Sequence, residues 1–254
     1  MKEKLRLVRT LLEKRRARRS EGRFVVEGPH LVEEAAGQID FVLYAEDLPL
    51  ISKLQDIGVN CLKVSKNDFQ QLSEVETPQW VLAVVKERQY QLDHIMEAAS
   101  PLIVFCVEVQ DPGNLGTIIR TADAVGAAGV ITSRGTVDVY NSKVIRSTMG
   151  SLFHLPLVEA EDTLKMIEQL KKFRVQIVAA DINGVDDYFS ADFNQPTALL
   201  VGNEGAGLPA KVVELADKAV RIPMPGRAES LNVGVSSAVI LYEALRQRIY
   251  GRTS

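Results

Sequence analysis

The chain has 254 residues, 46% of them hydrophobic and 25% charged, with a net charge of −3; this suits one large α/β domain, or a small domain joined to one of about 150 residues, and makes disorder over most of the length unexpected. Cys61 and Cys106 are too few for a disulfide framework or a Cys-rich zinc site, so both read as small buried apolar residues and no metal is expected. The first twenty residues lack the apolar stretch of a signal peptide and no uninterrupted 18-residue apolar run follows, which makes a membrane role unexpected and the cytoplasm the expected address.

Residues 1–23 hold ten Lys/Arg against Glu3, Glu13 and Glu21, a net +7, so the remainder carries −10. A basic segment on an acidic body points to contact with a polyanion, with Arg15, Arg16, Arg18, Arg19 and Arg23 as the candidate RNA-binding residues. Leu5, Val8, Leu11 and Leu12 recur at helical spacing and predict an amphipathic helix, whose charged face could equally be a solvated surface. Residues 22–86 alternate short apolar runs, such as Phe24 to Val26 and Val81 to Val85, with helix-like stretches at His30 to Ala36 and Pro49 to Ile57, which predicts a small α/β domain. Glu87 to Pro101 loses that rhythm and reads as a linker. The expected division is therefore a domain over 1–95 and a second over 96–254.

From Leu102 a second alternation begins: LIVFCVEV, GVITS, VQIVAAD, TALLVG and AVRIPM, closed by a helix from about Asn232 to Ile249. Nearly continuous apolar runs separated by helices predict a parallel sheet covered on both faces. Ligands of such sheets bind at the carboxyl ends of strands, where three polar loops stand out. In VEVQDPGNLGTIIRTADAVGA, Asp111 to Gly113 make a turn, Asn114 can cap the next helix, and Arg120 lies two turns inside it. In LLVGNEGAGLP, Gly202, Gly205 and Gly207 surround Asn203 and Glu204; the pattern is neither a dinucleotide fingerprint nor a phosphate-binding P-loop. In RIPMPGRAESLNVGVSSAVILYEAL, a strand breaks at Pro223 and Pro225, and Ser230 or Asn232 can cap the final helix, with Ser236 and Ser237 near its start.

Together DPGNLGTIIRTADAVGA, LLVGNEGAGLP and IPMPGRAESLNVGVSSAVILYEA resemble the three signature motifs of the SpoU (TrmH-like) RNA 2′-O-ribose methyltransferases of the SPOUT superfamily. The resemblance covers residues 102–250, including RSTMGSLFHLPL, and residues 18–37 look like the start of the RNA-binding domain that many members carry. It implies a small N-terminal α/β RNA-binding domain followed by a parallel-sheet catalytic domain with a deep trefoil knot, working as a homodimer through that domain. It also implies S-adenosylmethionine as cofactor, held against Gly202, Asn203, Ile222, Met224, Leu231, Asn232 and Ser236. By motif match Arg120 grips a substrate phosphate and assists deprotonation of a ribose 2′-hydroxyl, while Asn114, Glu204, Ser230 and Asn232 orient it, the ribose and the loops. The added N-terminal domain fits ribosomal RNA slightly better than transfer RNA, and members of the family act on both. His30, His94 and His154 match no catalytic pattern and read as structural or surface residues, and Trp80 reads as core. Two other classes stay open: an RNA-binding protein without catalysis, which retention of all five polar motif residues disfavours, and a nucleotide-dependent oxidoreductase, which the glycine pattern disfavours.

Overall fold

A computed structural model describes residues 1–251 of the chain. These residues form two compact units, one of Met1–Gln89 with Asp138–Phe153, the other of Tyr90–Val137 with His154 onward. The chain thus leaves the second unit after Val137, contributes sixteen residues to the first, and returns at His154.

In the first unit, α1 (Lys2–Glu13) and α2 (Arg15–Glu21) precede β1 (Arg23–Glu27), α3 (Pro29–Glu34), β2 (Ile39–Tyr44), α4 (Pro49–Asp56), β3 (Cys61–Lys63), α5 (Lys66–Gln70) and β4 (Val81–Lys86). The strands form one sheet in the order β1-β4-β2-β3, in which β4 pairs antiparallel with both β1 and β2 and β3 runs parallel to β2. Its core gathers Val8 and Leu11 of α1 with Phe41, Leu43, Phe69 and Leu82, and Leu5, Leu12 and Trp80 pack against it. Trp80 is thereby partly buried, as its apolar context predicts, with Lys66 Nζ 4.9 Å from its ring. Cys61 is only half-buried, in contrast to the expectation, because it lies on the edge strand β3.

The single basic helix expected at the N-terminus is two helices, because Lys14 is extended (φ −121°, ψ 109°). A break there leaves carbonyls at the end of α1 without helical partners. Arg18 fills that need: its Nη1 donates to Leu11 O at 2.6 Å and Leu12 O at 3.0 Å. Its Nε and Nη2 donate to the Asp138 carboxylate at 2.8 and 2.6 Å, and the residue is 6% exposed. Arg18 is therefore removed from the RNA-binding set, since a guanidinium with every face engaged inside the protein cannot grip a phosphate. Arg23 is half-buried and paired with Asp40 at 3.0 Å, whereas Arg15, Arg16 and Arg19 are exposed.

The residues 138–153 are built into this unit by more than that ion pair. Tyr140 stacks on Phe24 with centroids 4.4 Å apart, and Phe153 lies on the same ring at 6.2 Å. Helix α8 (Ser142–Thr148) packs on β1, and His30 Nε2 is 3.1 Å from Met149 O.

The second unit holds α6 (Leu92–Met96), β5 (Leu102–Cys106), α7 (Pro112–Ala124), β6 (Gly129–Ser133), β7 (Leu157–Ala160), α9 (Thr163–Lys172), β8 (Gln176–Ala180), β9 (Asp186–Asp187), β10 (Thr197–Val201), α10 (Ala210–Glu214), β11 (Lys218–Arg221) and α11 (Val233–Tyr250). Part of the expected linker is thus helical: α6 lies inside it and buries Ile95 in the core of this unit. The sheet order is β7-β6-β5-β10-β8-β11-β9 and every pairing is parallel, as the continuous apolar runs predict. Strands β5, β6 and β10 are buried along their whole length. From β5 the chain moves outward to β6 and β7, then crosses back to fill the other side through β8 and β10, so direction reverses between β5 and β10. Such a reversal opens a crevice at the carboxyl ends of the two strands.

The Arg18 clamp makes a measurable claim. Arg18→Met should lower folding free energy by about 3 kcal/mol in urea denaturation, the usual scale for leaving one member of a buried pair unpartnered. Arg18→Met with Asp138→Leu should recover most of that loss. If Arg18→Met unfolds at the wild-type urea concentration, the pair does not hold α1 and residues 138–153 in place.

Candidate active site

The loops after β5 and β10 meet at that crevice. Asp111, not Asn114, caps α7: its Oδ1 accepts the Asn114 N–H at 2.8 Å, and Pro112 supplies a first helical residue that needs no donor partner. The change matters because it releases the Asn114 side chain, whose Nδ2 donates to Glu204 Oε1 at 3.0 Å and whose Oδ1 accepts from Asn232 Nδ2 at 2.8 Å. Asn232 in turn caps α11, its Oδ1 accepting from Gly234 N–H at 2.9 Å and Val235 N–H at 3.3 Å. One hydrogen-bonded line, Glu204–Asn114–Asn232, therefore joins all three loops.

Glu204 is the fixed end of that line. Its carboxylate also accepts the backbone N–H groups of Gln110 at 3.1 Å and Asp111 at 3.0 Å. Desolvation pushes its pKa up, but the hydrogen bonds from Asn114, Asp111, Gln110 and its own backbone outweigh that and leave it below the ordinary value. A carboxylate so held stays ionised and is a poor proton acceptor. Asn203 works in the opposite direction across the same gap: its Nδ2 donates to Glu108 O at 3.0 Å, and its Oδ1 accepts the N–H groups of Gly205 and Ala206 at 3.0 and 2.9 Å.

The second loop folds tightly on itself, with Asn203 and Gly207 exchanging backbone hydrogen bonds at 3.0 Å. A Cβ at Gly202 would collide with the backbone carbonyl of Gly207, so this position admits no side chain. The result is a cavity of about 480 Å³ beside the loop, lined among others by Asn114, Ile182, Gly202, Asn203, Glu204, Ser230, Leu231, Asn232 and Ser236. An apolar slot of about 80 Å³ shares Ile182, Ser230, Leu231 and Ser236 with it and adds Ile222 and Met224.

All seven expected cofactor residues thus line one cavity or the other, as do Asn114, Glu204 and Ser230. Arg120 lines neither. It is exposed on α7, six residues and so about 9 Å along the axis from Asn114, and no ion pair or hydrogen bond engages its side chain among the described residues. Asp181 to Asn183, which follow β8 and line the larger cavity, are not singled out by the sequence as site residues; their signal is the turn DING at a strand's carboxyl end. Ile182 is 69% exposed there, an apolar side chain placed where a ligand would cover it. The histidines lie off the cavities: His94 completes the N-terminal capping box of α6 and His154 pairs with Asp123 at 2.9 Å.

The lowered pKa of Glu204 gives this junction a pH dependence. The unfolded chain binds the proton more readily than the folded one, so stability rises with pH. The carboxylate's contribution is full above the ordinary value of 4.5 and is lost as pH falls below it towards the lower folded-state value. Urea denaturation between about pH 3 and pH 7 should show Glu204→Gln less stable than wild type at neutral pH, the two converging in acid. A constant gap across that range would remove Glu204 from the junction's electrostatics.

Comparison with known proteins agrees with this geometry. Residues 101–242, more than half of the chain, match the SpoU rRNA Methylase family, and residues 2–83 match the MRM3-like substrate binding domain. The chain is 36% identical to the 23S rRNA (guanosine(2553)-2′-O)-methyltransferase RlmP of Bacillus subtilis, over 91% of this chain and 92% of that one. It is 37% identical to the 23S rRNA (uridine(2479)-2′-O)-methyltransferase of Streptomyces viridochromogenes, over 96% and 90% respectively. The crystal structure of the SpoU methyltransferase AviRb from Streptomyces viridochromogenes in complex with the cofactor AdoMet superposes with a TM-score of 0.91 at 36% identity, covering 97% of this chain and 98% of that one. An AdoMet-bound rRNA methyltransferase from Sinorhizobium meliloti does so with a TM-score of 0.83 at 32% identity, covering 96% and 94%. With its motif loops joined at one crevice and its likeness to these proteins running nearly end to end, the chain belongs to the SpoU rRNA methylase family.

Proposed function

We propose that the chain transfers a methyl group from S-adenosylmethionine to a ribose 2′-hydroxyl of ribosomal RNA. The observation that carries the reading is the Glu204–Asn114–Asn232 line, which draws three loops distant in sequence around one cavity. The residues present fit the cofactor. A cavity of about 480 Å³ is in the range of ligand sites; its lining of polar side chains and glycine-loop backbone suits an amino acid and a ribose, and the slot between Ile222, Met224 and Leu231 suits a flat base. When bound, S-adenosylmethionine supplies a methyl group on a sulfonium, already activated towards a nucleophile.

What the chain must add is a positioned and deprotonated hydroxyl. Glu204, ionised and fully hydrogen-bonded, serves as the anchor that sets Asn114 and Asn232. Ser230, exposed at the rim of both cavities, is placed to orient the ribose. Arg120, a guanidinium with no internal partner among the described residues, is suited to grip the substrate phosphate and so ease proton loss from the hydroxyl beside it.

Because Arg120 lies off the cavity of its own chain, the reading includes a homodimer through the second unit. Its support is α11, where Val235, Tyr242 and Ile249 are exposed at intervals of seven, a single apolar stripe on a helix whose other face is buried. The expected trefoil knot belongs to the same reading, supported by the hydrogen bond that Asn232, beyond β11, returns to the start of α7. The first unit, with exposed Arg15, Arg16 and Arg19, would bind the RNA. A ribosomal substrate puts the work in the cytoplasm, and no described helix is long and apolar enough to cross a membrane.

Incubation with labelled S-adenosylmethionine and ribosomal RNA tests the activity directly. In single-turnover assays Arg120→Ala should slow methylation by at least about 10²-fold, with calorimetric affinity for S-adenosylmethionine unchanged, and Lys at 120 should restore little because one ammonium cannot reproduce a planar fork. Near-normal turnover in Arg120→Ala would take the residue out of the mechanism. Changing Arg15, Arg16 and Arg19 together to Ala should weaken RNA binding and flatten its dependence on salt, since the slope follows the number of phosphates neutralised. An unchanged slope would leave those arginines as a solvated face.

A further inference from the structure

Between β5 and the first motif loop, Glu108 has φ 56°, the left-handed region that a side chain disfavours. Glycine is the usual occupant of such a position, so something else must hold glutamate there. Two hydrogen bonds do. The Glu108 N–H donates to Oγ of Ser133 at 2.9 Å, and the Glu108 carbonyl accepts Nδ2 of Asn203 at 3.0 Å. Ser133 is the last residue of β6, is 1% exposed, and donates its own hydroxyl to Arg134 O at 3.0 Å, which leaves the oxygen lone pairs to accept from Glu108. Beyond Asn203 the sequence of bonds continues through Oδ1 to the amides of Gly205 and Ala206, which line the larger cavity.

We infer that Ser133, a buried serine that lines neither cavity, is a positioning residue for cofactor binding, acting by locking the Glu108 backbone so that its carbonyl fixes Asn203 and the Gly202–Gly207 loop. The inference rests on the reading of that cavity as the S-adenosylmethionine site. Without the serine oxygen, the Glu108 N–H is unsatisfied and only the Asn203 bond to its carbonyl opposes return of that residue to an extended conformation. Its carbonyl then turns away, Asn203 loses the partner of its Nδ2, and the loop loses the anchor at its base. Glycine at 108 would keep the left-handed backbone with no help from Ser133.

Four variants separate this from ordinary core damage. Ser133→Ala should weaken S-adenosylmethionine binding about tenfold by calorimetry, equivalent to about 1.4 kcal/mol, and should speed hydrogen exchange at the Gly205 and Ala206 amides with no cofactor present. Glu108→Gly alone should keep wild-type affinity. Ser133→Ala with Glu108→Gly should restore both affinity and slow exchange. Thr197→Val removes another buried hydroxyl of the same sheet, one that donates to Gln195 O at 2.9 Å at the opposite end of β10 from the loop; it should lower Tm while leaving affinity and loop exchange as they are. Unaltered loop exchange in Ser133→Ala, or a double variant as impaired as Ser133→Ala, would overturn the inference. Failure of the wild-type protein to bind S-adenosylmethionine would instead sink the cofactor reading, and the exchange measurement would still decide the role of Ser133 in the loop.

Discussion

An exposed glutamate ordinarily gives its carboxylate to water. Glu204 instead accepts two backbone amides from the turn after β5 and the side chain of Asn114, and the rest of the site follows from that exchange. Those amides precede α7, where the backbone has no helical acceptors to offer, so the carboxylate meets a real deficit of hydrogen-bond partners. Once Glu204 is held, Asn114 has one orientation that serves both Glu204 and Asn232, and Asn232 has one that serves both Asn114 and the start of α11. The amide side chains are therefore fixed by mutual satisfaction rather than by burial, which is how an open crevice keeps a defined shape.

Much of this was legible in the sequence because it is written in short-range chemistry. Buried parallel strands read as continuous apolar runs in LIVFC and TALLV, and the glycines of LLVGNEGAGLP read as a backbone that can take positive φ and come close to a ligand, although what Gly202 approaches in the structure is the loop's own backbone. The cap of α7 is not legible locally, because Asp111 and Asn114 are both good capping residues three positions apart, and which one caps depends on what the other can reach. Asn114 reaches Glu204, ninety residues away, and no local pattern carries that information. The role of Ser133 was invisible for the same reason: in GVITS it is one small residue at the end of a buried strand, and its partner lies in another loop.

Arginine count is a poor guide for a different reason. Five arginines between residues 15 and 23 look alike as charge, yet the environments differ sharply, from a guanidinium enclosed by Asp138 and two carbonyls at Arg18 to open solvent at Arg16. The deciding fact was the bend at Lys14, which exposed helix-end carbonyls to a side chain four residues on. Net charge along a sequence estimates a field, and which charges contribute to it is settled by backbone geometry.

The sixteen residues from Asp138 to Phe153 bear on modularity. Proteins that gain or lose a terminal domain are usually imagined to do so at a linker, leaving each piece self-sufficient. Here a cut near residue 90 would strip the first piece of the rings that cover Phe24 and of the carboxylate that neutralises Arg18, and would leave the second with Tyr140, Phe153 and Asp138 deprived of their partners. A version of the second unit made alone would need other residues at this internal stretch. The boundary between the two units is therefore drawn in the middle of the chain as well as near residue 90, where a comparison confined to the terminus would overlook it.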